Sequence, residues 1–303
     1  MQKISAVISA YNEEKKIEEC LASVSWVDEI IFVNSSSTDK TAEIARRYTT
    51  KIFTRPNHPM LNTNKNFGFS KASSHWILCL DADERITKEL REEIQALLQN
   101  PNQQIHGYKI PRKNIIFGKW MEHAGWYPDY QLRLFRKGFG IFEEHHVHEM
   151  VQIKGEIEPL NEHILHYNYE TIHQFLYKLA NIYAPNEAYN LTRKGYVFNY
   201  LDAIRFPAKE FLRRFFAQQG YKDGFHGFVL SFLMAFYHFV VFCHLWEQEK
   251  FKEQIGKELF FELEKECKNQ RREFGYWLTN VRKDLASNPL DKLWFFLVNK
   301  IKR

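Results

Sequence analysis

Metal–thiolate chemistry and disulfide bonding have little to build on in this chain. Its four cysteines, Cys20, Cys79, Cys243 and Cys267, lie far apart and share no ligand spacing. Cys20 and Cys79 fall on apolar faces of their segments, the setting of buried reduced thiols in a cytosolic protein. Internal repeats, low-complexity linkers, a His-Glu-x-x-His zinc motif and RNA-binding motifs are also missing. That counts against a zinc hydrolase and against a nucleic-acid partner. No signal peptide is expected, because Met1-Gln2-Lys3 runs straight into an apolar strand. Neither sign of charge dominates: 42 Lys and Arg against 37 Asp and Glu leave a net charge of +5 and a pI near 8.8. Such mild basicity suits an anionic partner such as phosphate or a membrane surface. At 303 residues, 45% hydrophobic and 26% charged, the chain holds one globular domain of moderate size plus an extension.

Against these absences stands Leu78-Cys79-Leu80-Asp81-Ala82-Asp83-Glu84, an apolar run that ends in two carboxylates one residue apart. Residues 74–80 read as a short buried strand, and alternate residues of an extended chain point the same way. Asp81 and Asp83 can therefore aim at one point beyond the carboxyl end of a strand, where open α/β sheets bind ligands. Two converging carboxylates repel unless a cation lies between them. A divalent cation carrying a diphosphate answers that need, and hard oxygen ligands suit Mg²⁺ or Mn²⁺. The plainer alternative is a strand and turn in which Asp83 or Thr87 caps a helix beginning near Lys88.

The surroundings favour the first reading. The chain opens on an apolar strand, residues 3–10, that breaks at Tyr11-Asn12-Glu13-Glu14 into a helix with Ile17, Cys20, Leu21 and Val24 at helical spacing. A second strand, 29–33, runs into Asn34-Ser35-Ser36-Ser37-Thr38-Asp39. A helix over 40–48, a strand over 51–54 and a helix over 64–72 come before the Asp81 strand. Strict alternation of strand and helix calls for an α/β fold with a mainly parallel sheet covered on both faces. Three polar strand ends, 9–13, 34–39 and 81–83, would then line one crevice.

Ser9-Ala10-Tyr11-Asn12-Glu13, Asn34-Ser35-Ser36-Ser37-Thr38-Asp39 and Asp81-Ala82-Asp83-Glu84 resemble the ordered motifs of family 2 glycosyltransferases over roughly residues 1–170. These are inverting enzymes of the GT-A (Rossmann-like) fold that use nucleotide-activated sugars. Within the family the chain looks most like the subgroup adding β-linked glucose to the lipopolysaccharide inner core. The markers are Tyr127-Pro128-Asp129-Tyr130-Gln131-Leu132-Arg133-Leu134-Phe135-Arg136, Val147-His148-Glu149 and His166-Tyr167. One position departs: the subgroup carries Asp, contacting uracil, where this chain has Asn34. An amide still hydrogen-bonds a base, but the preference for uridine is weakened.

The resemblance implies a UDP-sugar donor, with Ser9, Tyr11, Glu13, Asn34, Lys65 and Asp81 at the nucleotide sugar. Asp83 would be the direct ligand of Mg²⁺ or Mn²⁺, with Asp81 on the ribose or the metal's waters. Tyr11 would stack on the base, or else be a plain core aromatic. Glu13 would accept from a ribose or base hydroxyl or amine. Lys65 matches a basic family position near the phosphates, against the alternative of a solvated lysine on a polar helix face. Inversion requires a general base on the sugar face opposite the leaving group. Asp129 resembles the family's base by position, and Glu149, beside His148, is the alternative. The dense stretch Glu143-Glu144-His145-His146-Val147-His148-Glu149 suggests zinc, but its pattern fits a polar strand beside the acceptor cleft better.

After residue 168 the chain reads as helices, roughly 171–192, 200–218, 225–247 and 249–285, which divides it into a GT-A domain, 1–168, and a helical extension, 169–303. Residues 208–216 place bulky apolar groups on one side and basic ones on the other, as an interfacial helix does. Residues 225–246 contain no Asp, Glu, Lys or Arg and are long enough to span a bilayer. His226, His238, His244, Ser231 and Gly227 suit a span poorly, so a helix lying in the cytoplasmic leaflet is expected, with a buried bundle helix and a true span as alternatives. Together these imply a hexosyltransferase, peripheral on the inner face of the cell membrane, acting on a lipid-anchored saccharide. The same fold acting on another lipid-linked or protein acceptor, and a non-catalytic nucleotide-sugar-binding or membrane assembly protein, remain open.

Overall fold

The structure is a computed structural model that describes residues 2–57, 61–143, 151–254, 256–286 and 288. Its contacts divide the chain into two compact units, residues 1–116 with 127–168, and residues 117–126 with 169–303.

The first unit alternates β1 (Ile4–Ala10), α1 (Ile17–Ser23), β2 (Glu29–Asn34), α2 (Thr41–Ala45), β3 (Ile52–Thr54), α3 (Leu61–Lys71), β4 (Trp76–Asp81), β5 (Glu84–Ile86), α4 (Lys88–Gln99) and β6 (Ile105–Ile116). The two-residue β7 (Lys119–Trp120) falls in the second unit, and the first resumes with β8 (Asp129–Arg136), β9 (Gly140–Phe142), β10 (Val151–Ile153), β11 (Glu156–Pro159) and β12 (Ile164–Tyr169). The main sheet runs β3-β2-β1-β4-β8-β6-β12-β5. Its first four strands are parallel; β8 is antiparallel to β4 and β6 to β8. The α/β expectation is met, with antiparallel strands extending the parallel core.

Strand periodicity places the core. Ile4, Ala6 and Ile8 of β1, Ile30 and Phe32 of β2, and Leu78 and Leu80 of β4 pack on one face with α1, α2 and α4. Val7, Ile31, Val33, Ile77 and Cys79 pack on the other face with Phe69 and Ala72. Burial on both sides is why these strands read as continuous apolar runs. Helix α3 lies close on the sheet: a Cβ at Gly68 would come within 2.5 Å of Val7 Cγ1 and 3.2 Å of Val33 Cγ2.

At the amino ends of the strands, the buried Glu29 carboxylate accepts from Ser73 N at 2.8 Å, from Ser73 Oγ at 2.9 Å, and from Ser5 Oγ and Lys51 Nζ. Burial pushes its pKa up, but Lys51 and the serine hydrogen bonds outweigh that and take it from the ordinary 4.5 to about 2. A depressed pKa means stability that is present above 4.5 and lost as the pH falls through about 2. That difference corresponds to roughly 3 kcal/mol. Glu29→Gln is therefore expected to lower unfolding free energy by about that amount at neutral pH, with the gap to the parent shrinking toward pH 3. Urea titrations at both pH values check it, and a gap that does not shrink would contradict the assignment.

The second unit is helical, as expected. It contains α5 (Ile172–Lys178), a π turn (Leu179–Tyr183), α6 (Ala184–Arg193), α7 (Asp202–Phe211), a second π turn (Leu212–Ala217), a 3₁₀ turn (Gly220–Asp223), α8 (Gly224–Gln248) and α9 (Lys257–Leu285). Pro185 lies in the first turn of α6 and Pro207 inside α7. Each removes one backbone donor from its helix. The last helix starts at Lys257 rather than 249, because Lys250 and Phe251 take φ of 55° and 54° and Gly256 takes 142°, which breaks helical geometry. Residues 117–126 join this unit through hydrogen bonds. His123 N donates to Asp223 Oδ2 at 2.9 Å, Lys119 Nζ to Asp223 O at 2.6 Å, and Arg214 Nη1 to Ala124 O at 2.7 Å.

Candidate active site

Strand order 3-2-1-4 reverses between β1 and β4, so the carboxyl ends of those strands form a crevice. Register brings the polar ends level there: Ser9 is paired with Asp81, and Ala10 with Asn34. The loops beyond β1 and β2 are stitched together. Asn12 Oδ1 accepts from Thr38 N at 2.8 Å, Glu13 N donates to Thr41 Oγ1 at 2.8 Å, and Asp39 Oδ2 accepts from Glu14 N at 3.1 Å. Asn34 is buried and its Oδ1 accepts from Ser37 N at 3.0 Å. Ser9 Oγ lies 3.4 Å from Ser35 Oγ, which also receives Asn64 Nδ2 at 2.8 Å. Tyr11 is 42% exposed at the rim, so it is not a core aromatic.

From Asp81 a chain of charges crosses the sheet. Its Oδ1 pairs with Lys65 Nζ and its Oδ2 with Arg133 Nη2 at 2.5 Å. Arg133 Nη2 also reaches Glu84 Oε1 at 2.6 Å, and Arg112 Nη1 reaches the same oxygen at 3.2 Å. Arg112 then clasps Asp129 Oδ2 through Nη2 at 2.5 Å and Nε at 3.0 Å. Asp129 further accepts from Gln131 Nε2 at 3.0 Å and Asn114 Nδ2 at 3.3 Å. Lys65 is only 11% exposed, which removes the solvated-lysine alternative; Gly68, on the same helix face one turn later, lets α3 come close enough for this contact. Burial pushes the Asp81 pKa up, but Arg133 and Lys65 hold it well below the carboxylate range. Asp129 is likewise lowered, because Arg112, Gln131 and Asn114 outweigh burial.

Asp83 has a different neighbour. Its Oδ2 lies 3.6 Å from His166 Nε2, and its carbonyl oxygen accepts from Tyr167 N at 2.9 Å. Burial raises its pKa, and the hydrogen bond and charge that His166 offers when protonated outweigh the rise. Asn114 decides how the imidazole faces. Its Nδ2 is turned to the acceptor Asp129, so its Oδ1 faces His166 Nδ1 at 2.6 Å and requires a proton there. In the neutral ring Nε2 then presents a lone pair to a carboxylate oxygen. Such a pair of acceptors could hold a cation between them, and Asn114 would then be the outer partner orienting the histidine. Among the described residues, no group of three or more His, Cys, Asp or Glu side chains is placed to hold a metal ion. Asp83 and His166 could supply two ligands, and phosphate and water oxygens suit further positions, as Mg²⁺ commonly accepts.

The sequence-predicted Ser9, Asn34, Lys65, Asp81, Asp83 and Asp129 all lie at this end of the first unit. Lys65 touches Asp81 directly, whereas Asp83 connects to Asp129 through His166 and Asn114. Thr87 caps α4, accepting from Leu90 N at 3.1 Å, so the capping alternative holds for Thr87 while Asp83 faces His166. Glu149, His148 and the other residues of 144–150 lie outside the described residues. Sequence reasoning assigned no role to Glu84, Arg112, Asn114, Gln131, Arg133 or His166. The available signal was polar side chains at alternate positions, 112 and 114 of β6 and 131 and 133 of β8, inside otherwise buried strands.

Comparison with known proteins agrees with the geometry. The family model described as glycosyl transferase family 2 matches residues 5–154. An uncharacterized glycosyltransferase of Rickettsia felis is 32% identical over 260 residues, 82% of this chain and 90% of that protein. The lipopolysaccharide core biosynthesis glycosyltransferase LpsC of Rhizobium meliloti is 27% identical over 256 residues, 82% of this chain and 94% of that protein. A crystal structure of Mycobacterium tuberculosis glucosyl-3-phosphoglycerate synthase with Mg²⁺ and uridine diphosphate superposes on 65% of this chain and 80% of its own, with a TM-score of 0.41 and 16% identity.

Proposed function

The chain belongs to glycosyl transferase family 2, and on that premise we propose that it transfers glucose from UDP-glucose, with inversion, to a heptose of a lipopolysaccharide core. The observation that carries the reading is the spatial order Lys65–Asp81–Arg133–Glu84–Arg112–Asp129, with Asp83 and His166 attached through Asn114. It joins the parts that grip a nucleotide diphosphate to a carboxylate suited to an acceptor hydroxyl. The likeness to LpsC supports the acceptor class.

Asp83 and His166 would hold Mg²⁺ or Mn²⁺; the bound ion would neutralise the diphosphate as it leaves. Asp81, already balanced by two cations, is free for the ribose and the ion's waters, and Lys65 beside it adds positive charge for the phosphates. Tyr11 stacks on the uracil, with Ser9, Glu13 and Asn34 at the base and ribose. Asp129 takes the proton of the acceptor hydroxyl as its oxygen attacks the anomeric carbon. The bond from that carbon to the diphosphate oxygen breaks, and UDP departs from the opposite face. The first unit carries the reaction, and the helical unit serves a lipid-anchored acceptor at the cytoplasmic face of the membrane.

The test is to incubate the protein with UDP-glucose, Mn²⁺ and a deacylated, heptose-bearing core oligosaccharide. The expected product carries one added glucose with a β-anomeric coupling in its proton NMR spectrum. An α-linked product, or neither transfer nor hydrolysis with any UDP-sugar, would overturn the proposal.

A further inference from the structure

One face of α8 is apolar and open. Phe225 is 78% exposed, Phe228 38%, Phe232 53%, Phe236 49% and Phe239 39%. Steps of three and four residues place all five on one side of the helix. The other side is already used: Leu230, Ala235, Val241, Phe242 and Leu245 are buried in the helical unit. Rings packed behind the row support it: buried Phe211 at the end of α7 lies 4.5 Å from Phe232, and Phe215 of the following π turn 5.6 Å from Phe228. A contiguous apolar patch of this kind marks an interaction surface.

Charge selects its partner. Between residues 200 and 246 the acids are Asp202, Glu210 and Asp223, and all three are buried. Asp202 accepts from Tyr196 Oη, Glu210 is held by Arg213 and Arg214, and Asp223 faces His123. The exposed charges of the same stretch, Lys209 and Lys222, are basic, and Lys222 comes three residues before Phe225. Aromatic rows beside uncompensated lysines match an anionic lipid surface. A span is a poor fit, because the buried side of α8 includes Ser231, and His238 Nε2 lies 3.7 Å from buried Glu210. Those groups belong to a packed protein core.

We infer that α8 docks in the plane of an anionic leaflet, with the row Phe225, Phe228, Phe232, Phe236 and Phe239 at the boundary between headgroups and acyl chains. This places on the chain the membrane contact of the proposed reaction, and rests on that reading only for the direction in which the acceptor is presented. The experiment uses the full chain, flotation with phosphatidylglycerol/phosphatidylethanolamine vesicles, and the variants Phe232→Ser/Phe236→Ser and Lys222→Glu. The parent is expected to float, to be released by alkaline carbonate, and to bind neutral phosphatidylcholine vesicles at least tenfold more weakly. The double variant should lose at least tenfold in vesicle binding while transfer to the soluble oligosaccharide is unchanged. Lys222→Glu, a surface change, should weaken binding to anionic vesicles alone. Failure of the parent to bind, equal binding by the double variant, resistance to carbonate, or a dimer dissolved by the double variant without lipid binding would each overturn the inference. Vesicle binding without any sugar transfer would leave it standing and remove the proposed activity instead.

Discussion

Asp83→Ala is expected to cut transfer by at least about 10³-fold while leaving the protein folded. The size follows from what the carboxylate would hold in place: a cation that offsets several kcal/mol of charge on the departing diphosphate, where each 1.36 kcal/mol is worth a factor of ten. Asp81 cannot substitute as a direct ligand, because Lys65 and Arg133 already neutralise its charge, which leaves it suited to hydroxyl and water hydrogen bonds only. The fold should survive, since Asp83 faces His166 at 3.6 Å, outside the buried Arg133–Glu84 pair. Replacing His166 by Ala removes the partner ligand but keeps the carboxylate, so a loss in metal affinity at least as large as the about 10–100-fold that outer partners of a ligand are worth is expected. Calorimetry with Mn²⁺ and UDP on the parent and both variants, beside the transfer assay, checks the order. An Asp83→Ala protein that keeps its activity would remove the metal from the proposed reaction.

The reach of the sequence in this molecule follows contact distance along the chain. The parallel core was legible because β1, β2 and β4 are apolar on both faces and helices of 3.6-residue period separate them. The crevice was legible for the same reason: Asp81, Asn34 and Ser9 are the first polar residues after those runs, and strand order puts them level. What joins them was not legible. Arg133 meets Asp81 across 52 residues and Arg112 meets Glu84 across 28, through the pairing of β8 with β4 and of β6 with β8. Antiparallel strands added to a parallel core leave no local mark of which neighbour they choose. Glu84 shows the consequence. In sequence it is the last letter of an acidic motif; in the fold it is a fully buried carboxylate between two arginines, which also accepts from Asp81 N at 2.9 Å. A buried carboxylate survives only with such partners. In the helical unit the helices were legible from periodicity, whereas the break before α9 depended on left-handed backbone at Lys250 and Phe251.

Asp129→Asn is expected to lower kcat by about 10²–10⁴-fold, the usual contribution of a positioned general base. The substitution keeps the shape and the hydrogen bonds to Gln131 and Asn114 within reach, and Arg112 retains Glu84 at 3.2 Å. Loss of activity with a folded protein would therefore report proton transfer rather than collapse of the site. The pH profile carries the sign. Arg112 and its neighbours hold the Asp129 pKa below 3.8. The carboxylate thus stays ionised through the mildly acidic range, and its contribution is lost only as the pH falls below that value. The acid limb of kcat/KM in the parent should accordingly lie below the ordinary carboxylate range and be absent from the variant's residual rate. A clamped carboxylate is a weak base, and Glu84 limits that penalty because it shares Arg112 with Asp129. Glu149→Gln supplies the comparison. If it loses the activity that Asp129→Asn keeps, the base is Glu149, and the clasp of Arg112 on Asp129 serves to shape the acceptor side of the crevice.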